Sequence, residues 1–344
     1  MRSVIPTRSP RTPSGLQTAA LLSLAGLAAS MLYVQSRQRT VERDNPPAGK
    51  FIEVDGVRLH YIERGEGPAL VLLHGNGLTA RDFAISGLLD SAARPYRVIA
   101  FDRPGFGHSE RPDNRAWTPE EQARLFYKAL HQMGVERPLV LGHSWGTLVA
   151  LAMALAYPKY VRAITLMSGY YYPSMRRDVP LLSPQAIPGI GHLLRHTVAP
   201  LIGRLLWSRL VRRSFAPASV PERFHQMPKW MALRPSQLRA SAAEMAMMSA
   251  SAKRLSARYR ELTLPIAIIA GSGDKIIDVG HNALRLHEEI QHSELIVEPN
   301  VGHMPHYADA QRVMEAIEQL EASLTPGGSN LRHAATIHSS ATLH

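Results

Sequence analysis

The chain contains no cysteine. No disulfide can staple it, its redox compartment leaves no mark on it, and thiolate metal sites are excluded. No set of His, Asp and Glu has metal-ligand spacing, so no metal or organic cofactor is expected, and no internal repeat points to a solenoid. Aromatic residues are scarce, at 6%; without an aromatic platform or a recognised module, the basic charge gives no case for a nucleic-acid partner. Acidic residues are the other shortage: 28 Asp+Glu stand against 39 Lys+Arg, a formal net charge of +11. That excess is local. Residues 169–262 hold fifteen Lys/Arg and four Asp/Glu, and residues 1–47 hold six and two, which leaves the remainder mildly acidic. Hydrophobic residues make up 45% of the 344, ample for a large core.

What is present is concentrated in one pentapeptide, Gly142-His143-Ser144-Trp145-Gly146. Before it, Leu139-Val140-Leu141 is a brief apolar run of the kind a buried parallel strand shows. After it, Thr147 to Ala156 is a helical run that stops at Tyr157-Pro158. A serine on so tight a strand-to-helix turn is held in strained backbone geometry with its Oγ exposed, and the flanking glycines remove Cβ atoms that would collide. The following helix aims its N-terminus at the site, where backbone N–H groups favour developing negative charge. The pattern G-x-S-x-G alone is common; between strand and helix it marks a nucleophile.

A serine hydroxyl is a poor nucleophile until a base takes its proton. Pro265 to Ala270 reads as a buried strand ending in Gly271-Ser272-Gly273-Asp274, and Ser293 to Glu298 as a last strand, followed by Val301-Gly302-His303. Catalytic groups of open α/β sheets collect at the carboxyl ends of strands, so Asp274 and His303 fall on the same edge as Ser144. Asp278 competes with Asp274 as the acid, and His306 with His303 as the base. His74 and His143 flank these motifs and suit loop packing and hydrogen bonding. His108 and Asp102 suit bracing of their own loop.

The order Ser144, Asp274, His303 resembles that of the α/β-hydrolase superfamily, in its single-domain, capped, esterase- and lipase-like branch. Pro68 to Gly77, with His74-Gly75-Asn76, looks like the family's oxyanion strand and loop, and Arg97 to Ser109, ending in Asp102-Arg103-Pro104-Gly105-Phe106-Gly107-His108-Ser109, looks like its next strand and loop. The likeness runs from about Phe51 to about Leu324. It implies an eight-stranded, mostly parallel sheet with helices on both faces, opened by a hairpin over residues 51–63 and carrying a helical cap. The implied divisions are a leader and linker at 1–47, core at 48–168 and 263–325, cap at 169–262 and a disordered tail at 326–344. By the same resemblance the backbone N–H groups of Asn76 and Trp145 form the oxyanion hole. Relatives that open epoxides or haloalkanes carry aspartate at the elbow; Ser144 points instead to acyl transfer from a small, hydrophobic ester. Carbon–carbon bond hydrolysis of ring-cleavage products, and non-catalytic ligand binding, are the competing functions.

Two segments bear on membranes. From Thr12 to Ser36 no side chain is charged, and Gly15–Val34 is about 30 Å long as a helix, enough to cross a bilayer. Arg2, Arg8 and Arg11 precede it, and Arg37, Arg39 and Arg43 follow. It reads as an uncleaved anchor with the catalytic domain outside the cytoplasm, or as a cleaved signal with Ala28-Ala29-Ser30 as its small-residue site, giving a secreted or periplasmic protein. In the cap, residues 192–213 are apolar at helical spacing with an arginine-rich remainder, which fits either an interfacial segment or a cap helix with solvated arginines. Pro200 should break or kink that helix. Met227, Met231, Met245, Met247 and Met248 fit an adaptable apolar pocket or ordinary core filling.

Overall fold

Short apolar runs separated by helical ones dictate a sheet covered on both faces, and the computed structural model has that form. It describes residues 14–174, 185, 187 and 189–324. The tail from 326 and Arg2, Arg8 and Arg11 lie outside the described residues. Strands β1 (Lys50–Val54) and β2 (Val57–Arg64) form the opening antiparallel hairpin, turned by Asp55 and Gly56, both at positive φ. The type I′ geometry that Asp-Gly favours is what suits a two-residue hairpin turn. The other strands are β3 (Ala69–Leu73), β4 (Arg97–Phe101), β5 (Leu139–His143), β6 (Ala163–Met167), β7 (Ile266–Gly271) and β8 (Glu294–Glu298). Their spatial order is β1-β2-β4-β3-β5-β6-β7-β8; β2 pairs antiparallel with β4, and the pairs from β4 to β8 are parallel.

The helices, in chain order, are α1 (Gly15–Asp44), α2 (Arg81–Ile85), α3 (Leu88–Ala92), α4 (Pro119–Gln132) and α5 (Trp145–Ala156). Then come α6 (Ile190–His196), α7 (Val198–Phe215), α8 (Lys229–Ala232) and α9 (Pro235–Ser256). The last are α10 (Arg285–Glu289), α11 (Pro305–Ala308) and α12 (Ala310–Ser323). Because side chains alternate along a strand, each central strand feeds two cores. Val71, Leu73, Ile266 and Ile268 join α4 and α5 on one face; Leu70, Leu72, Ala267 and Ile269 join α3 and α12 on the other. Helix α5 is buried on nearly every side, as expected for a helix apolar all round.

Between β6 and β7 the described residues carry helices and no strand. The helix expected over 192–213 is interrupted three residues before Pro200, at Thr197, which has φ −128° and ψ −82°. Proline then lies in the first turn of α7, where a missing N–H costs nothing because first-turn donors lack intrahelical partners. Helix α1 is exposed throughout Gly15–Gly26 and meets the cap further on. There Ser30 donates to the Thr197 carbonyl (2.9 Å), Tyr33 packs edge-on to Trp230, Arg37 lies over the same ring, and Val34 and Val41 are buried.

Candidate active site

The strand-to-helix turn after β5 puts Ser144 at φ 52° and ψ −116°, a conformation that costs a non-glycine residue free energy and persists only where packing enforces it. Neighbouring glycines are that enforcement. A Cβ on Gly142 would strike the Gly146 carbonyl, and one on Gly146 would strike the Leu73 carbonyl of β3. The result aims a partly exposed Oγ past the sheet edge. His303, in the loop after β8, lies with Nε2 3.0 Å from Ser144 Oγ and Nδ1 2.7 Å from Asp274 Oδ2. Asp274, after β7, has a side chain only 2% exposed. Its Oδ1 accepts from the backbone N–H groups of Ile276 (2.7 Å) and Ile277 (3.0 Å), which fixes the carboxylate's orientation.

The competing candidates have other partners. Asp278 is exposed and caps the turn through His281 N–H. His306 is fully buried and donates from Nε2 to Asp82 Oδ2 (2.8 Å), while Tyr307 donates to Asp82 Oδ1 (2.9 Å). His143 donates from Nε2 to the His303 carbonyl at 2.9 Å, so the residue before Ser144 braces the backbone of the His303 loop. Burial, with His306 and His303 nearby, holds the His143 pKa well below the usual range, which keeps it neutral in that role. Ligand atoms of Asp82, His143 and His306 lie within 4.8 Å of one another. In that group the Asp82 carboxylate and both Nε2 atoms are committed to hydrogen bonds, while the two Nδ1 atoms are buried with no partner among the described residues.

The loops after β3 and β4 are locked together. His74 accepts at Nε2 from Arg103 N–H (3.0 Å) and donates from Nδ1 to the Gly75 carbonyl (2.8 Å), so its tautomer follows from its partners. Burial, reinforced by the adjacent Arg103 charge, lowers its pKa to about 3. Asp102 accepts from His60 Nδ1 (2.7 Å), Ala80 N–H (2.8 Å) and His108 N–H (2.9 Å). Burial works against its ionisation, but these donors outweigh it and leave its pKa below the usual value. Asp102 and His108 thus brace their loop.

One feature has little sequence signal. Arg103 and Glu244 form an ion pair with both side chains 0% exposed. Glu244, on α9, also accepts from Gln122 and from the Asn76 side-chain amide at 3.1 Å, and Asn76 further bonds Ser241. The cap therefore holds the loop beside Ser144 through a buried carboxylate. Its only trace in the chain is the single acid of α9, one of four in a strongly basic segment. The end of α7 is fastened to the same edge: the Ser214 carbonyl accepts from His303 N–H at 2.8 Å, and Phe215 and Ala216 crowd Gly302.

Two cavities that share Met227 have linings that do not include Ser144. One, of about 870 Å³, opens between α7 and the following loop, among Trp207, Val211, Val220, Phe224 and Met227. The other, of about 380 Å³, lies among His60, Thr79, Asp102, Met231 and Gln237. Met227 and Met231 line cavities, whereas Met245 and Met248 belong to the core against α5.

Fold and elbow together define the class. Residues 68–310 match the alpha/beta hydrolase fold family, and the chain belongs to it. It is 29% identical over 129 residues to haloalkane dehalogenase 2 of Mycobacterium bovis, a match covering 38% of this chain and 44% of that relative, so the chain matches less than half of that relative's length. It is 28% identical over 263 residues to a pimeloyl-[acyl-carrier protein] methyl ester esterase of Aeromonas hydrophila, covering 75% of this chain and 97% of that protein. A solved membrane phospholipase A shares the fold at TM-score 0.61 and 20% identity, over 89% of this chain and 98% of that one.

Proposed function

We propose that this protein is a membrane-anchored serine esterase acting on carboxylic esters of hydrophobic acids. The observation that carries the reading is the continuous hydrogen-bonded chain from Ser144 Oγ through His303 to Asp274, at 3.0 and 2.7 Å. Ser144 Oγ attacks the ester carbonyl while His303 Nε2 takes its proton. Asp274, held by two backbone donors, keeps Nδ1 protonated and stabilises the imidazolium. The tetrahedral oxyanion is received by the N–H groups of Asn76 and Trp145, the second at the N-terminus of α5. His303 then passes its proton to the departing alkoxide, and water repeats the sequence on the acyl-enzyme. The aspartate that a haloalkane dehalogenase needs for attack on carbon is replaced here by a serine, and the methyl ester esterase likeness spans most of both chains.

The hydrophobic acid is favoured by the apolar cavity beside α7, whose residues 214–216 pack on the His303 loop. Within this reading, residues 169–262 form the cap, 48–168 and 263–325 the catalytic core, and 1–47 an anchor and linker that leaves the enzyme outside the cytoplasm. An uninterrupted α1 running from Gly15 to Asp44, docked beyond the small-residue site, favours retention of the anchor over its removal. The test is labelling by a fluorophosphonate and turnover of p-nitrophenyl esters of increasing chain length. Ser144→Ala should abolish labelling and lower turnover by about 10⁴-fold or more, and Asp274→Asn should cost about 10⁴-fold by stabilising the wrong tautomer. Undiminished turnover in folded Ser144→Ala would refute the acyl-serine mechanism; turnover confined to a dienoate diketone would favour carbon–carbon hydrolysis.

A further inference from the structure

The structure fixes how deep the cap must lie if α1 crosses a bilayer. Of the uncharged stretch Gly15–Val34, only Gly15–Gly26 stands free of the domain. That free part rises about 18 Å, at 1.5 Å per residue, against a hydrocarbon core of about 30 Å. The remaining length lies in Leu27–Val34, which is docked: Ser30 is bonded to Thr197 at the junction of α6 and α7, and Tyr33 packs on Trp230. The helix cannot span without carrying that junction into the membrane.

The surface on either side of the junction suits that depth. Leu193 on α6 is exposed, as are Val198, Ile202, Leu206 and Leu210, spaced four apart on one stripe of α7, and Leu205 beside them is 83% exposed. Such an apolar stripe on a helix with no covering element among the described residues is unusual on a soluble face. Its polar groups near Thr197 are satisfied internally, by Ser30 and by the Leu193 carbonyl. Arg204 is exposed within the apolar stretch, where its long stem can carry the charge outward, and Arg209, Arg212 and Arg213 are exposed towards the C-terminal end of α7, cations that can meet lipid phosphates.

We infer that the α6–α7 face is a membrane seat, inserted into one leaflet beside α1, with an anionic lipid bilayer as its partner. The inference rests on α1 being an anchor, not on the ester chemistry. Continuity with the free apolar stretch of α1 and the arginine border favour lipid over a second copy of the chain. Because α7 ends on the His303 loop, the seat places the catalytic edge close to the lipid surface.

The absence of native cysteine makes single labelling sites unambiguous. Full-length protein carrying Leu21→Cys, Ile202→Cys, Leu205→Cys or Leu284→Cys would be labelled with an environment-sensitive fluorophore. Each would be reconstituted in phosphatidylcholine–phosphatidylglycerol nanodiscs holding one protein copy. Iodide quenching at residues 21, 202 and 205 should be at least about fivefold weaker than at exposed Leu284, since hydrocarbon excludes the ion. Shielding at 21 with free quenching at 202 and 205 would overturn the seat while leaving the anchor. Shielding at 202 and 205 that appears only when discs hold two copies would overturn it in favour of self-association, and free quenching at all sites would overturn seat and anchor together. Soluble-ester turnover, read on each variant, reports the esterase reading separately, because none of these positions touches the triad.

Discussion

Glu244→Ala is the most revealing single substitution. Its carboxylate is 0% exposed and is, among the described residues, the only charged partner of an equally buried Arg103, and it also receives the Asn76 and Gln122 amides. Truncation leaves the Arg103 guanidinium buried without its counter-charge and takes one acceptor from each of the Asn76 and Gln122 amides, which keep only the Ser241 and Trp117 carbonyls. Breaking a buried pair from one side costs about 3–5 kcal/mol, whereas removing both charges for apolar groups of similar volume is often close to neutral. Arg103→Met combined with Glu244→Leu should therefore recover much of the stability that Glu244→Ala loses. Activity should respond differently. Asn76 supplies one of the proposed oxyanion donors, and misplacement of a catalytic group by about 1 Å can cost about 10²-fold. Turnover should fall mainly in kcat in Glu244→Ala and stay low in the double variant, which restores packing but not the tether on Asn76. Denaturant unfolding in detergent micelles and p-nitrophenyl ester kinetics measure the two effects. If Glu244→Ala loses less than about 0.5 kcal/mol, or if the double variant regains full kcat, the argument that the cap positions the oxyanion loop through this carboxylate is wrong.

Other consequences follow from the same packing. His74, with its pKa lowered to about 3 by burial and by Arg103, and His143, held well below the usual value by burial, stay neutral in the folded state. The unfolded chain takes up protons below about pH 6.5, so their contribution is complete above that pH and lost as pH falls, at up to about 1.4 kcal/mol per pH unit for each. Denaturant unfolding between pH 7 and 5 should show this slope, and His74→Gln should flatten it; a pH-independent stability over that window would contradict the burial argument. Gly146→Ala drives a Cβ into the Leu73 carbonyl, where neither backbone can yield, so it should cost about 3 kcal/mol or more. A variant with normal melting and normal fluorophosphonate labelling would show that the elbow tolerates what its geometry forbids.

The primary sequence determined what depends on short-range chemistry. Glycines bracketing Ser144 permit a turn that other residues block, short continuous apolar runs locate β3, β5 and β7, and a longer one closed by Tyr157-Pro158 locates α5. Asp274 and His303 were legible because each follows a strand, and strand ends converge by topology. Tertiary structure alone decided what depends on distant side chains meeting. Nothing local distinguishes Glu244 from a solvated helix acid; it is a buried tether only because α9 lies over Arg103 and Asn76. His143 read as a loop hydrogen-bonder, but its partner on His303 and the pairing of His306 with Asp82 were not legible, since the partners are some 160 and 224 residues away. The apolar stripe of α7 was visible as a pattern, but whether it faces a core or the outside is set by what packs against it. Local propensity travels with the residue, and burial belongs to the whole fold.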